Sequence, residues 1–258
     1  MMDFNERVIP NVSSNYLFKE ALARYEFVKR FIKNGMRVID LGCGTGYGSA
    51  VLSELGCEVT GIDIDKEAVD YATKHYGKKT KFIKGNIKDL RLKNSEFDIA
   101  CSFEVIEHID NPKAFLKEVK RIIKKGSYFI LSTPNASVVS PHGGVSSPYH
   151  TKEFNYRELS SLLKKEFKSV KILGQTKSVK AKKAWGDFLK SQGTRQGFVE
   201  KDKFGIRKMV PKSVKEKIWK YLGNFYGRES QEKLETKDFP IKRTNVQKSY
   251  YFIAICRK

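Results

Sequence analysis

The chain has 258 residues, of which 40% are hydrophobic and 31% charged, with a formal net charge of +21. That much apolar mass supports a full core without disulfides or metal, so one large domain with embellishments is expected. No apolar run approaches the roughly 18 residues of a spanning helix, and the start, MMDFNERVIPN, lacks the apolar core of a signal peptide. Cys43, Cys57, Cys101 and Cys256 show no C-x-x-C pairing and read as reduced thiols of a cytoplasmic protein. The basic excess favours polyanions such as nucleic acid, acidic glycans or an anionic membrane surface, although a lysine-biased genome would also produce it. About half of that excess falls in residues 176–247, with 19 basic and 8 acidic side chains.

In chain order, Asn15–Ile32 reads as a helix with Leu17, Ala21, Arg24, Tyr25 and Val28 on one side. Strand patterns follow at Met36–Leu41, Glu58–Asp63, Lys81–Lys84, Phe97–Phe103 and Ser127–Thr133. Between them lie helical patterns at Gly48–Leu55, Lys66–Tyr76 and Pro112–Ile123, the last with Asn111 as N-cap and Pro112 at the first position. Val170–Leu173 and Ser249–Cys256 complete seven strands. Alternation of this kind implies an α/β fold, a mainly parallel sheet covered by helices on both faces. Four segments are expected: an N-terminal helical cap (1–35), a ligand-binding core (36–175), a basic helical insertion (176–247) and a final core strand (248–258). The insertion holds a Lys-rich helix around Val179–Lys190 and a second, Pro211–Leu222, which carries Trp219. That basic helix suits either an anionic membrane surface or packing as a cap.

The most informative stretch is Val38–Ser49, VIDLGCGTGYGS. A strand ends in Asp40, then glycines at 42, 44, 46 and 48 let backbone approach a ligand. The spacing is D-x-G-x-G-x-G and not the dinucleotide G-x-G-x-x-G, whose third glycine would fall on Tyr47. This resembles motif I of the class I S-adenosylmethionine (AdoMet) methyltransferases. The resemblance implies a Rossmann-like fold with a seven-stranded, mostly parallel sheet and an antiparallel last strand. It also implies AdoMet as cofactor, with Gly42, Gly44 and Gly46 in its loop and Asp40 near its cationic amine.

Further stretches resemble the same family. Asp63, ending CEVTGID ahead of Ile64, corresponds to the acid that grips both ribose hydroxyls. Asn86 and Ile87 in KGNIKDL stand where the family contacts adenine, with Asn replacing the commoner Asp. Arg24 in ALARYEF resembles an arginine that clamps the methionine carboxylate, a natural use of a guanidinium. A solvated Arg24 is the competing reading.

Glu104, Glu107 and His108 sit at i, i+3 and i+4, one face of a helical turn after the fourth strand. With His150 in SPYHTKEF they form a candidate divalent-metal site with open positions. Alternatively, the two carboxylates are charges stabilising the start of the next helix. His142 and His75 read as loop and surface residues. E-x-x-E-H with a downstream His resembles the metal site of small-RNA 3′-terminal 2′-O-methyltransferases, and its Glu/Glu/His part that of ubiquinone-pathway O-methyltransferases. That resemblance implies Mg²⁺ or Mn²⁺ holding a vicinal diol, with Glu107, His108 and His150 as catalytic groups and His108 or His150 relaying the proton if not a ligand. ERVIP, ARYEF, GTGYGS, EVIEH, STPN, PYH and the ending GQ together resemble glycan-pathway methyltransferases of the type 11/23 kind. The function so implied is O-methylation of a sugar hydroxyl on a glycan or glycolipid precursor; the expected location is the cytoplasm, with peripheral contact at the inner membrane face as an option through the basic helix. The alternatives are 2′-O-methylation at an RNA terminus and a non-catalytic AdoMet-binding partner protein.

Overall fold

The computed structural model describes residues 8–10, 13–87, 89–187 and 233–258. The Pro211–Leu222 helix and the end of the Val179–Lys190 helix lie outside the described residues. Helix α1 (Asn15–Val28) is capped by Ser14 and leads to β1 (Arg37–Leu41). Then follow α2 (Tyr47–Ser53), β2 (Glu58–Asp63), α3 (Lys66–Tyr76), β3 (Thr80–Lys84) and β4 (Phe97–Phe103). A single 3₁₀ turn, Ile106–His108, separates β4 from α4 (Pro112–Ile122), whose N-cap is Asn111. The second half comprises β5 (Ile123–Pro134), the short α5 (Ala136–Val139), α6 (Tyr156–Lys164), β6 (Ser169–Gln175), β7 (Ile241–Lys242) and β8 (Tyr251–Arg257).

The fold is the expected Rossmann-like α/β architecture, with eight strands in place of the expected seven, in the order β3-β2-β1-β4-β5-β8-β6-β7. The pairs from β3 to β5 are parallel, and β8 runs antiparallel between β5 and β6. The eighth strand, β7, pairs antiparallel with β6 inside the stretch expected to be helical. Two residues are too few to leave a period-2 signal. Helix α6 was not anticipated either, although Asn155 and Glu158 form a reciprocal capping box at its start.

Alternation along β1 builds both core layers. Ile39 and Leu41 pack with Phe115, Leu116, Val119 and Ile122 of α4 and with Leu159 and Leu163 of α6. Val38 faces the other way, toward Tyr25, Phe27 and Val28 of α1 and Leu52 of α2. A third cluster joins Tyr16 and Ala23 of α1 to Ala181, Ala184, Leu234 and Phe239, so described parts of the basic segment pack on α1. Among the described residues, no helix is long and apolar enough to cross a membrane. The strand order reverses beside β1, between β2 and β4. In an open parallel sheet such a reversal leaves a crevice at the strands' carboxyl ends.

Candidate active site

A cavity of about 580 Å³ occupies that crevice, within the size range of small-ligand sites. Glu104, Val105, His108, Ile109 and Tyr149 line it, and so do the six residues Gly42, Gly44, Asp63, Ile64, Asn86 and Ile87. Seven of the nine expected cofactor residues therefore line one cavity, these six and Arg24. Asp63 closes β2 and serves the glycine loop directly: its Oδ2 accepts from Gly44 N at 2.8 Å and its Oδ1 from Asp65 N at 3.0 Å. Ile64 leaves an apolar side chain 65% exposed on the cavity wall, a surface suited to one face of a heteroaromatic ring.

The other two cofactor residues play a different part. Asp40 is 1% exposed and does not line the cavity. Its Oδ2 accepts from Ser49 Oγ at 2.6 Å and Tyr25 Oη at 3.2 Å, and Cys101 Sγ lies 3.6 Å from Oδ1. The carboxylate fastens β1 to α1 and α2. Gly46 also faces away from the cavity. Its φ is +79°, and a Cβ there would lie 2.6 Å from Ala72 Cβ and 2.7 Å from Phe82 Cζ. Only glycine combines that conformation with that packing.

Burial, opposed by the three hydrogen bonds, pushes the Asp40 pKa up from 3.8 to about 6. A carboxyl whose folded pKa is raised contributes most stability below its unfolded pKa, and that contribution is lost as pH climbs to the folded value. Between pH 4 and 6 the native state should therefore lose about 2 kcal/mol through this group. Asp40→Asn keeps an acceptor for Ser49 and Tyr25 and should remove the slope. Urea midpoints across pH 4–7 provide the check: parallel curves for the two proteins would refute the assignment.

Arg24 is buried at the cavity wall, and its geometry accounts for the burial of a charge. Nε donates to Gln175 Oε1 at 2.9 Å, Nη1 lies 3.7 Å from Glu104 Oε1, and the guanidinium stacks 4.4 Å from the Tyr251 ring. The solvated alternative is thus overturned, but Glu104 already shares its charge.

Glu104 departs from the expected helical turn. Its φ is +55°, so the chain reverses at this residue before the 3₁₀ turn begins. The carboxylate takes the Ser132 hydroxyl and the Arg24 ion pair. It does not join Glu107 and the imidazoles, and the expected four-residue metal set is corrected to three. Glu107, His108 and His150 each offer a ligand atom, all within 4.8 Å of one another. The His108 and His150 rings meet edge to face at 4.9 Å between centroids.

The chemistry of these three suits a divalent cation. Glu107 is fully buried; Oε2 accepts from Thr133 Oγ1 at 3.0 Å, while Oε1 has no hydrogen-bond partner. A buried acceptor left without a partner is costly unless something else satisfies it. Burial, and then the Glu104 charge, hold the Glu107 pKa well above the usual carboxylate range. His108 Nδ1 lies 3.0 Å from the Tyr149 carbonyl and His150 Nδ1 lies 2.7 Å from Glu153 Oε1. A carbonyl and an ionised carboxylate only accept, so both Nδ1 atoms carry a proton, which in the neutral ring leaves the lone pair on Nε2. Imidazoles oriented in this manner are typical of metal ligands. Tyr149, whose ring lines the cavity, and Glu153 were not anticipated from the sequence; the PYH stretch carried the only signal, through His150.

A protein-family model described as "Methyltransferase domain" matches residues 32–194, and the chain belongs to that family, the class I AdoMet methyltransferases. It is 33% identical over 163 residues to a probable S-adenosylmethionine-dependent methyltransferase of Mycolicibacterium smegmatis, covering 61% of this chain and 62% of that one. A mitochondrial ubiquinone biosynthesis O-methyltransferase of Dictyostelium discoideum is 35% identical over 120 residues, 41% of this chain and 37% of that one. The match spans less than two thirds of either curated relative. Among solved structures, a SAM-dependent methyltransferase from Archaeoglobus fulgidus shares the fold with a TM-score of 0.60 at 18% identity, covering 95% of each chain. The phosphoethanolamine N-methyltransferase 2 of Haemonchus contortus, solved with S-adenosyl-L-methionine, gives a TM-score of 0.54 at 17% identity over 97% of this chain and 61% of that one.

Proposed function

We propose that this chain transfers the methyl group of AdoMet to a hydroxyl oxygen, and that the acceptor is a sugar diol of a glycan or glycolipid precursor. The reading rests chiefly on one observation: Asp63 and Ile64 line the same cavity as His108, which clusters with the buried Glu107 and with His150. The likeness to a ubiquinone biosynthesis O-methyltransferase supports oxygen as the acceptor atom. Four buried cysteines, none in a disulfide, fit the reducing cytoplasm, and the basic excess fits an acidic glycan or an anionic lipid surface.

In this reading Asp63 accepts from the ribose hydroxyls while Ile64 and Ile87 cover the adenine and Asn86 contacts its edge. Arg24, with Glu104 behind it, faces the methionine carboxylate. Glu107, His108 and His150 would hold Mg²⁺ or Mn²⁺, which when bound lowers the pKa of a coordinated hydroxyl. Thr133 orients Glu107, and the Tyr149 carbonyl and Glu153 orient the imidazoles. Tyr149 borders the acceptor end and limits water's access to it. In-line alignment of the acceptor oxygen with the sulfonium methyl supplies much of the rate, as in any displacement between two bound reactants.

The test is transfer of tritiated methyl from AdoMet to fractionated lipid, glycan and RNA extracts, with and without chelator. Label in the glycolipid or glycan fraction is the expected result. Label confined to RNA would replace it with terminal 2′-O-methylation, and cofactor binding with no transfer to any fraction would leave a non-catalytic partner protein. Separately, Glu107→Gln should weaken Mn²⁺ binding more than about a hundredfold, because it removes a charged ligand from a buried site. Electron paramagnetic resonance titration reads this directly, and unchanged affinity would remove the metal from the proposal.

A further inference from the structure

The loop between α5 and α6 is mostly exposed from Pro141 to Tyr149 and bends through Gly143 and Gly144 at positive φ. Nevertheless it delivers Tyr149 to the cavity and His150 to the cluster. Two attachments hold it. The first is backbone: the Glu107 carbonyl accepts from Thr151 N at 2.8 Å, Lys152 N at 3.1 Å and Thr151 Oγ1 at 2.9 Å. That fixes residues 151–152 to the 3₁₀ turn that carries Glu107 itself. The second is the carboxylate of Glu153, whose side chain is 0% exposed.

Glu153 reaches back into the loop from this fixed segment. Oε2 accepts from Ser140 Oγ at the loop's beginning. Oε1 accepts from Ser146 N at 2.8 Å, from Ser146 Oγ, and from His150 Nδ1 at 2.7 Å. Four donors fill the roughly four lone-pair sites of an ionised carboxylate, and bonds to a charged acceptor are the stronger kind. Both ends of the loop thus converge on one buried anion. We infer that Glu153 is a positioning residue for the reaction: it holds His150 as the Nδ1–H tautomer, which leaves Nε2 as the nitrogen free to act with Glu107 and His108, and it pins the loop that brings Tyr149 to the cavity. The catalytic part of this inference rests on the proposed function; the tautomer and the loop do not.

The experiment uses the full chain in three forms, wild type, Glu153→Ala and Glu153→Gln. Ring ¹⁵N shifts of His150, from long-range ¹H–¹⁵N spectra at a pH where the imidazole is neutral, report the tautomer without cofactor or metal. The wild type should show Nδ1–H. Glu153→Gln, whose amide oxygen still accepts from Nδ1, should keep it, whereas Glu153→Ala should shift His150 toward Nε2–H. Mn²⁺ affinity should fall about 10- to 100-fold in Glu153→Ala and only a few-fold in Glu153→Gln. AdoMet affinity, which depends on Asp63 and the glycine loop, should be unchanged and confirms folding. An Nε2–H tautomer in the wild type overturns the inference even if Glu153→Ala fails to fold, and an unaltered tautomer in Glu153→Ala overturns it equally. If the wild type binds no Mn²⁺, the metal reading fails while the ring shifts still decide the role of Glu153.

Discussion

Asp63→Ala should weaken AdoMet binding by at least about a hundredfold in calorimetric titration, since a hydrogen bond to a charged group contributes about 1.5–3 kcal/mol and several are lost together. The effect is large because one carboxylate does two jobs. It stands on the cavity wall at the carboxyl end of β2, and it already holds the glycine loop through Gly44 N at 2.8 Å. Removing it deletes ligand contacts and releases the loop that shapes the cavity floor. Asp63→Asn, which keeps one acceptor oxygen, should fall between the two. If Asp63→Ala binds AdoMet as well as the wild type does, the cofactor pocket is misplaced.

Gly48→Ala should be the most destabilising single methyl addition in the glycine loop. A Cβ at this position would sit 1.9 Å from Tyr25 Cζ and 2.2 Å from Cε2, so the ring itself must move. Tyr25 has nowhere to go without cost: its ring packs edge to face on Phe103 at 4.9 Å, and its hydroxyl bonds Asp40 at 3.2 Å. Overpacking of a filled core costs about 1–3 kcal/mol, and here a buried hydrogen bond is broken as well. The urea midpoint should drop accordingly, and AdoMet affinity with it, because Tyr25 also lines the cavity. A midpoint equal to the wild type's would show that α1 does not seat on α2 in this way.

The elements with strong period or strong punctuation are legible in the sequence. Glu58–Asp63, Lys66–Tyr76 and Phe97–Phe103 fall on the expected residues, because strand and helix patterning act locally. The Lys-rich helix begins as expected at 179 and is described as far as 187. Where a local signal was absent or weak, the reading fell short. β7 is two residues long, and β5 begins at Ile123, which the helical period had assigned to the preceding helix.

The candidate site divides along the same line. The residues that meet AdoMet in this family are carried by motif spacing, and Gly42, Gly44, Asp63, Ile64, Asn86 and Ile87 are brought to one cavity. Asp40 and Glu104 show the limit of spacing. Both were expected to face a ligand, yet one is claimed by Ser49 and Tyr25 and the other by Ser132 and Arg24. The helical-turn argument for Glu104 failed on a single dihedral, since a left-handed residue turns its side chain off the face that Glu107 and His108 share.

The amino-acid sequence by itself determined the order of strands and helices and the chemistry available at each strand end, because apolar period and glycine spacing are properties of neighbours along the chain. The tertiary structure alone decided which carboxylates remain for a ligand and which become internal fastenings. It also brought His150 within reach of Glu107, 43 positions away, and placed Glu153 beneath the loop. The physical reason is that a buried polar group takes whatever partner the packed elements present, and those partners lie far away in sequence.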